Sequence, residues 1–124
     1  MAKFFKCEHC GNLFAVVNDG KVPPFCCGEK MVLLDPNTVD AATEKHVPVV
    51  EIQRDGHVLN VAVGEVEHPM LDEHYIEWVA LEADGRLEIR HLNPDEKPAT
   101  VFAGADHGTV YAYCNLHGLW QVEF

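Results

Sequence analysis

The larger part of the chain alternates between apolar and polar residues in short runs that turn signals separate. β-Branched residues with a period of two fill residues 47–53 and 58–63, and the sequence RDGH lies between these runs. A second pair of runs, 76–82 and 87–92, flanks the sequence ADGR. Because Asp-Gly between two alternating runs is typical of a tight hairpin turn, each pair predicts a β-hairpin.

Three further runs, at 99–103, 109–113 and 119–124, also have strand length, and no long helical pattern competes with them. Seven short strands, spaced by about ten residues, predict a mainly β fold. We expect an antiparallel β-sandwich of immunoglobulin-like kind. The pattern does not give the strand order, and the Cys and Trp spacing of antibody domains is missing.

A segment rich in turn-forming residues, LLDPNTVDAATEKHVP, separates these runs from a shorter N-terminal part. We place a domain boundary near Asp35-Pro36. The sequence therefore predicts a small cysteine-bearing domain over residues 1–36 and the β-sandwich over residues 37–124.

Four of the five cysteines lie in the N-terminal part with the spacing of metal ligands. CEHCGN places Cys7 and Cys10 with two residues between them, and CCGEKM supplies Cys26 and Cys27 after fifteen intervening residues. The adjacent pair requires a local backbone distortion, because neighbouring side chains in an extended segment point apart. A tetrathiolate metal site is the prediction, with disulfides or free thiols as alternatives. Zinc and iron suit four sulfur ligands equally well.

Composition and charge exclude several classes of partner. The 124 residues are 48% hydrophobic and carry a net charge of −11, all of it after position 36, so nucleic acid and anionic membranes are poor partners. No apolar run is long enough to span a bilayer, and MAKFFKCEHC lacks the apolar stretch of a signal peptide. We therefore expect a soluble cytoplasmic protein, in which an odd number of clustered cysteines indicates metal binding or chemistry.

The histidines of the larger part divide into two groups. His57, His91 and His107 lie in turns or follow strands and are expected at the surface, as is His9 within the first cysteine motif. The second group, together with the isolated Cys114, occupies positions where predicted strands begin or end, and loops at one end of a sandwich can bring such positions together. This group consists of His46, His68, His74 and His117. Each of these alone fits an ordinary polar histidine, so the residues only suggest a site.

Six ordered motifs resemble one known family. CEHCGN, CCGEKM, EKHVP, EVEHPM, EHYIEWV and YCNLHGLW are similar to those of the desulfoferrodoxins, the two-iron class of superoxide reductases. The resemblance covers nearly the whole chain. It implies a desulforedoxin-like or rubredoxin-like iron domain followed by a catalytic β-sandwich, with two iron ions per chain.

The resemblance also implies a role for each matching residue. Cys7, Cys10, Cys26 and Cys27 match the ligands of the tetrathiolate iron, where zinc is also possible. His46, His68, His74 and His117 match four imidazole ligands of the catalytic iron, and Cys114 matches its axial thiolate. Glu44 matches a loop glutamate that ligates ferric iron after turnover, and Lys45 a lysine that attracts superoxide and orients water.

The implied activity is the one-electron reduction of superoxide to hydrogen peroxide, with a rubredoxin-type donor and a homodimeric assembly. Two other classes of function remain as alternatives: an electron carrier that uses only the tetrathiolate iron, and a zinc-stabilised binding module with incidental histidines. Superoxide dismutation is a closer alternative, because it uses the same substrate.

Overall fold

The computed structural model describes residues 1–53 and 57–124, which form two compact units, Met1–Asp35 and Pro36–Phe124. The centre of the predicted RDGH turn, Arg54 to Gly56, lies outside the described residues. Within the described part, the structure contains no helix with both the length and the hydrophobicity of a membrane span.

The N-terminal unit consists of short strands and has few buried side chains. Its strands are β1 (Phe4–Lys6), β2 (Leu13–Ala15), β3 (Phe25–Cys26), β4 (Glu29–Lys30) and β5 (Val32–Leu33). They form a three-stranded antiparallel sheet of order β2-β1-β5 and the two-stranded sheet β3-β4. Among residues 1–35, all of which are described, only Phe4, Cys7 and Met31 are buried. This unit therefore has a very small apolar core.

The described residues of the C-terminal unit, 36–53 and 57–124, form one helical turn and seven strands. These elements are α1 (Thr43–His46), β6 (Pro48–Gln53), β7 (Val58–Val63), β8 (Ile76–Ala83), β9 (Arg86–His91), β10 (Ala99–Ala103), β11 (Thr109–Cys114) and β12 (Gly118–Glu123). All seven strands coincide with the predicted runs to within one residue at each end. The predicted mainly β fold is confirmed.

Two antiparallel sheets pack face to face in this unit. Their strand orders are β10-β7-β6 and β12-β11-β8-β9. Alternate residues of both sheets, such as Leu59 and Val61 in the first and Val79 and Leu81 in the second, form one buried apolar cluster. This alternation is the physical origin of the period-two pattern in the sequence. The β8–β9 turn has positive φ at both Asp84 and Gly85, as a two-residue hairpin turn requires.

The end of the sandwich near Cys114 contains a local irregularity. Tyr113 pairs with Trp78, but Cys114 pairs with Ile76, so β8 contributes one extra residue at this point. Such a bulge re-aims side chains at a strand end. The same end carries α1, the segment after β7 and the segment before β8, which contain the histidines that the sequence grouped together.

Candidate metal centres

The four N-terminal cysteines converge in the structure. Their sulfur atoms all lie within 4.8 Å of one another, with 3.6 Å between the Sγ atoms of Cys10 and Cys26 and 3.9 Å between those of Cys26 and Cys27. A tetrahedral ion with bonds of about 2.3 Å holds its sulfur ligands about 3.8 Å apart. The cluster therefore fits one tetrathiolate ion.

The backbone supplies the distortion that the adjacent cysteines require. Cys27 has φ of 53°, in the left-handed region, and Gly28 follows with φ of 77°. This sharp reversal turns the Cys27 side chain toward the same side as that of Cys26. At the other loop, Gly11 has φ of 81° and donates its N–H to the carbonyl oxygen of Cys7 over 3.0 Å. Both loops are thus tight turns around the sulfur atoms.

The protonation of these thiols also indicates that a cation completes the cluster. The backbone N–H of Cys10 lowers the pKa of Cys7 to about 6, because it donates to the sulfur. In contrast, the neighbouring Cys10 and Cys7 thiols raise the pKa of Cys27 to about 12. Several thiolates cannot share this small volume without a positive charge, and a coordinated metal ion deprotonates such thiols.

A second cluster lies at one end of the sandwich. His46 ends α1, His68 follows β7, His74 precedes β8, Cys114 ends β11 and His117 precedes β12. The candidate ligand atoms of His46, His74, Cys114 and His117 lie within 4.8 Å of one another. The Nε2 atom of His68 joins them at 3.1 Å from that of His46. The structure thus brings together all five residues that the sequence grouped.

The four imidazoles have the arrangement of a square. Adjacent ring centroids are 4.6, 4.8, 5.1 and 4.9 Å apart around the cycle His46, His68, His74 and His117. The opposite pair, His46 and His74, is 6.5 Å apart. A tetrahedral set would make all these separations equal. The cluster is therefore suited to four ligands in a plane, a geometry that zinc does not favour in structural sites.

Backbone carbonyl groups fix the tautomers of two of these rings. Nδ1 of His46 lies 2.6 Å from the Ala42 carbonyl oxygen, and Nδ1 of His68 lies 2.7 Å from that of Pro69. A carbonyl oxygen only accepts, so each Nδ1 carries the proton and each Nε2 presents a lone pair to the centre. These lone pairs repel each other without a cation between them. Metal–nitrogen bonds of about 2.1 Å place adjacent ligand nitrogens about 3.0 Å apart, close to the observed 3.1 Å.

Burial favours the neutral form of three of the imidazoles, those of His46, His68 and His74. Loss of hydration lowers the pKa of His68 to about 4, and it also lowers those of His46 and His74. A neutral imidazole is the form that binds a metal ion. Burial has the opposite effect on Cys114, which is fully buried and whose thiol pKa is raised, so an ion is needed to hold it as a thiolate.

One ring nitrogen of the cluster is buried without a partner. Nε2 of His74 has no hydrogen bond within the described parts of the chain. A buried polar atom without a partner is costly and calls for a physical reason. Its position among the other imidazole nitrogens supplies that reason, because a metal ion at the centre of the square would bind it.

Glu44 and Lys45 lie on α1, directly before the first imidazole of the cluster, and both side chains are exposed. Burial and the imidazole of His117 lower the pKa of His74 most, and the Lys45 ammonium adds to this effect. The Lys45 charge is therefore within electrostatic reach of the cluster.

Gly64 allows α1 to approach the end of β7. Its φ is 89°, and a Cβ added there would lie 2.7 Å from the Lys45 carbonyl oxygen and 2.8 Å from that of Glu44. The Glu44 carbonyl oxygen also accepts the N–H of Val66 over 3.0 Å. The segment after β7 thus holds the backbone of the turn that carries Glu44, Lys45 and His46.

We expect Gly64→Ala to lower the free energy of unfolding of the C-terminal unit by about 3 kcal/mol or more, because backbone overlap adds to the cost of a strained φ. Both tryptophans lie in this unit, so chemical denaturation followed by their fluorescence reports its unfolding. Gly85→Ala is the matched control, since Gly85 has φ of 73° but open space around it. Equal losses in the two variants would contradict the role of close backbone approach.

Sequence reasoning missed one aromatic neighbour of the cluster. The ring of Trp120 stacks on His46 at 4.9 Å and 28°, and its Nε1–H donates to the His117 carbonyl oxygen over 3.0 Å. Trp120 belongs to the motif YCNLHGLW, yet a tryptophan in an alternating strand is also typical of core packing. Its contact with His46 depends on tertiary structure. The remaining histidines of this unit, His57, His91 and His107, are exposed as predicted.

The two centres define a metalloprotein with one tetrathiolate site and one site of four imidazoles and a thiolate. The desulfoferrodoxin sequence profile matches residues 38–123, and the profile of the desulfoferrodoxin N-terminal domain matches residues 1–34. The chain belongs to the desulfoferrodoxin family, which confirms the resemblance.

Individual relatives agree with this assignment. A desulfoferrodoxin of Syntrophotalea carbinolica is 48% identical over 96% of this chain and 94% of its own length. A desulfoferrodoxin of Clostridium acetobutylicum is 51% identical over 79% of this chain and 77% of its own length. The crystal structure of the superoxide reductase from Treponema pallidum is similar with a TM-score of 0.78, 37% identity and 98% coverage of both chains.

Proposed function

We propose that the protein is a superoxide reductase, which converts superoxide, one electron and two protons to hydrogen peroxide and releases no oxygen. The single observation that carries this proposal is the square of four imidazoles beside one buried cysteine. An electron carrier needs no such second centre, and a zinc-stabilised module needs no planar ligand set.

The residues of the two centres would hold two iron ions. Cys7, Cys10, Cys26 and Cys27 would bind one, where zinc is an alternative, and His46, His68, His74, His117 and Cys114 would bind the other. Iron held by the second set would supply the electron for superoxide. Five protein ligands would leave one position of a six-coordinate ion for a small anion.

The protein residues around the second centre have separate tasks. Cys114 would donate electron density as a thiolate, and its full burial keeps competing ligands away from the sulfur. The carbonyl groups of Ala42 and Pro69 hold the His46 and His68 rings in the ligating tautomer. We assign to the exposed Glu44 the binding of the oxidised centre after turnover, and to Lys45 the attraction of superoxide and the orientation of a proton-donating water.

Lys45 matters because the chain is strongly acidic. A protein of net charge −11 repels an anion at long range, so superoxide needs a local positive charge at the site. We expect Lys45→Ala to lower the bimolecular rate constant with superoxide about tenfold at low ionic strength, with an unchanged iron spectrum. Stopped-flow or pulse-radiolysis kinetics at several salt concentrations measure this effect.

Lys30→Ala is the matched control for this prediction, since it removes an exposed lysine of the N-terminal unit and changes the net charge equally. We expect it to leave the rate constant within about twofold of the parent, because it changes the net charge but leaves the charge on α1, directly before the first imidazole, unaltered. An unchanged rate in Lys45→Ala at low salt would remove Lys45 from the mechanism.

An anaerobic titration of the reduced, iron-loaded protein with superoxide tests the proposed function. The expected result is one hydrogen peroxide per superoxide, no oxygen, and a new thiolate-to-iron absorption band. Oxygen together with half that peroxide would indicate dismutation instead. No reaction of a fully iron-loaded sample would leave an electron carrier or a structural module.

We further propose a division of labour in which residues 1–36 form an electron-transfer domain and residues 37–124 the catalytic domain. A rubredoxin-type electron donor and a homodimer complete the proposal. Support for protein contacts comes from a row of adjacent apolar residues on the sheet of the N-terminal unit, where Phe14 and Leu33 flank Phe5 and are 46% and 47% exposed.

The two centres depend on thiolate ligands, which need reducing surroundings. We therefore propose a cytoplasmic location.

A further inference from the structure

Asn115 bridges two strand ends that are far apart in the sequence. Its side-chain Oδ1 accepts the N–H of Tyr75 over 2.9 Å, and its Nδ2 donates to the carbonyl oxygen of Glu73 over 3.0 Å. Its own backbone N–H donates to the carbonyl oxygen of Tyr75 over 3.2 Å. Asn115 directly follows Cys114, and the residues that it binds lie on both sides of His74.

The ring of His74 lacks the carbonyl anchor that holds the rings of His46 and His68. The Nδ1 atoms of His46 and His68 are anchored on carbonyl groups, whereas neither ring nitrogen of His74 has a hydrogen bond within residues 1–53 and 57–124. Its backbone N–H and C=O pair with Leu71 across a short exposed turn. The ring is therefore oriented by its backbone, which Leu71 holds at His74 itself and Asn115 holds at the two flanking residues.

We propose that Asn115 is a positioning residue that couples Cys114 to His74 and so sets the relative placement of the thiolate and one imidazole. This inference rests on the proposed function, because it takes the imidazole and thiolate cluster as an iron site. The placement of a ligand by its outer contacts affects both metal affinity and the electronic structure of the site. If Asn115 only closed the loop around His74, a residue elsewhere in the chain could do so equally well. Its position directly after Cys114 links that loop to the thiolate.

Asn37 provides a matched control in the same unit. It makes the same three kinds of hydrogen bond: its Oδ1 accepts the Gln121 N–H over 2.8 Å, its Nδ2 donates to the Gln121 carbonyl oxygen over 3.1 Å, and its backbone N–H donates to the Leu119 carbonyl oxygen over 3.0 Å. The strand that it binds is already fixed by its pairing with β11. An equal change at Asn37 therefore removes equal hydrogen bonding without releasing a ligand.

The experiment compares Asn115→Ala, Asn115→Asp and Asn37→Asp in the full-length protein. Ferrous iron is partitioned against a competing chelator, and the optical spectrum of the oxidised protein separates the two centres, so the tetrathiolate centre is an internal reference. We expect Asn115→Ala to weaken iron binding at the second centre by about 10–100-fold and to shift its thiolate band. Asn115→Asp keeps the acceptor for Tyr75 but loses the donor to Glu73, so we expect a smaller loss in the same direction.

Three results would overturn the proposal. The first is parental iron affinity with an unchanged thiolate band in Asn115→Ala. The second is a loss of iron in Asn37→Asp equal to that in Asn115→Asp, which would indicate general destabilisation. The third is tighter iron binding in Asn115→Asp, which would mean that charge alone governs the site. None of these measurements uses superoxide, so a parent protein that fails to reduce superoxide would refute the proposed function and leave this inference standing.

Discussion

Replacing Cys114 by serine is expected to abolish superoxide reduction, with a fall in rate of more than about a hundredfold. This loss is larger than the 10–100-fold loss, roughly, that follows when a residue contacting a metal ligand is changed. A serine hydroxyl in this fully buried position neither ionises readily nor donates charge to a metal as a thiolate does. The rate of superoxide loss and the thiolate-to-iron absorption band measure the effect. Both should disappear, while iron bound by the four N-terminal cysteines keeps its own spectrum.

The corresponding change in the other centre separates the tasks of the two sites. Cys7→Ser removes one ligand of the tetrathiolate cluster and leaves the second cluster intact. We expect a chemically reduced sample of this variant to form peroxide from superoxide in a single turnover, as the parent does. An equal loss of superoxide reduction in Cys7→Ser and Cys114→Ser would contradict the proposed division of labour.

The strands of the sandwich were predictable because one face of each sheet packs on a shared core. Val79 and Leu81 point into that core, and the resulting alternation of apolar and polar residues is visible in the sequence. The distortion at the adjacent cysteines was predictable for a similar local reason, since two neighbouring sulfurs can share an ion only if the chain turns sharply. The left-handed conformation of Cys27 is that turn.

The second centre was only partly predictable from the residues themselves. Position at strand ends grouped the four histidines with Cys114, but the square of rings arises from contacts between segments that the pattern does not connect. The resemblance to a known family was needed to select them. The bridge made by Asn115 joins residues 40 positions apart, and the stacking of Trp120 on His46 is equally non-local. An asparagine in a loop and a tryptophan in a strand carry no local signal of such roles.

Gly64 has one role that the local sequence indicates and one that depends on tertiary contacts. A glycine after a predicted strand is an ordinary turn signal, and its positive φ agrees with that interpretation. Its second task, to admit the carbonyl groups of Glu44 and Lys45, becomes visible only when α1 is placed beside it. The sequence did not predict α1, because a single turn of four residues is too short for a helical period.

Removal of the tetrathiolate metal ion is expected to unfold residues 1–35 and to leave the β-sandwich folded. Only three side chains of this unit are buried, whereas Phe25 and Val22 are 64% and 77% exposed. Full burial of one apolar side chain contributes about 1.5–3 kcal/mol. A structural metal ion bound by cysteines contributes about 10–16 kcal/mol, and chains below about 40 residues usually need such a link. The metal ion is therefore the main source of stability in this unit.

Amide NMR spectra of the full-length Cys7→Ser variant, and of the parent protein before and after chelation, measure this effect. In the variant and after chelation, signals of residues 1–35 should collapse to the narrow range of an unfolded chain, while those of β6 to β12 should keep their dispersion. Adding zinc to the chelated parent should restore the N-terminal signals, since a closed set of four thiolates accepts either metal. If the N-terminal signals stay dispersed without metal, the three buried side chains and the short strands suffice to fold this unit, and the metal serves electron transfer alone.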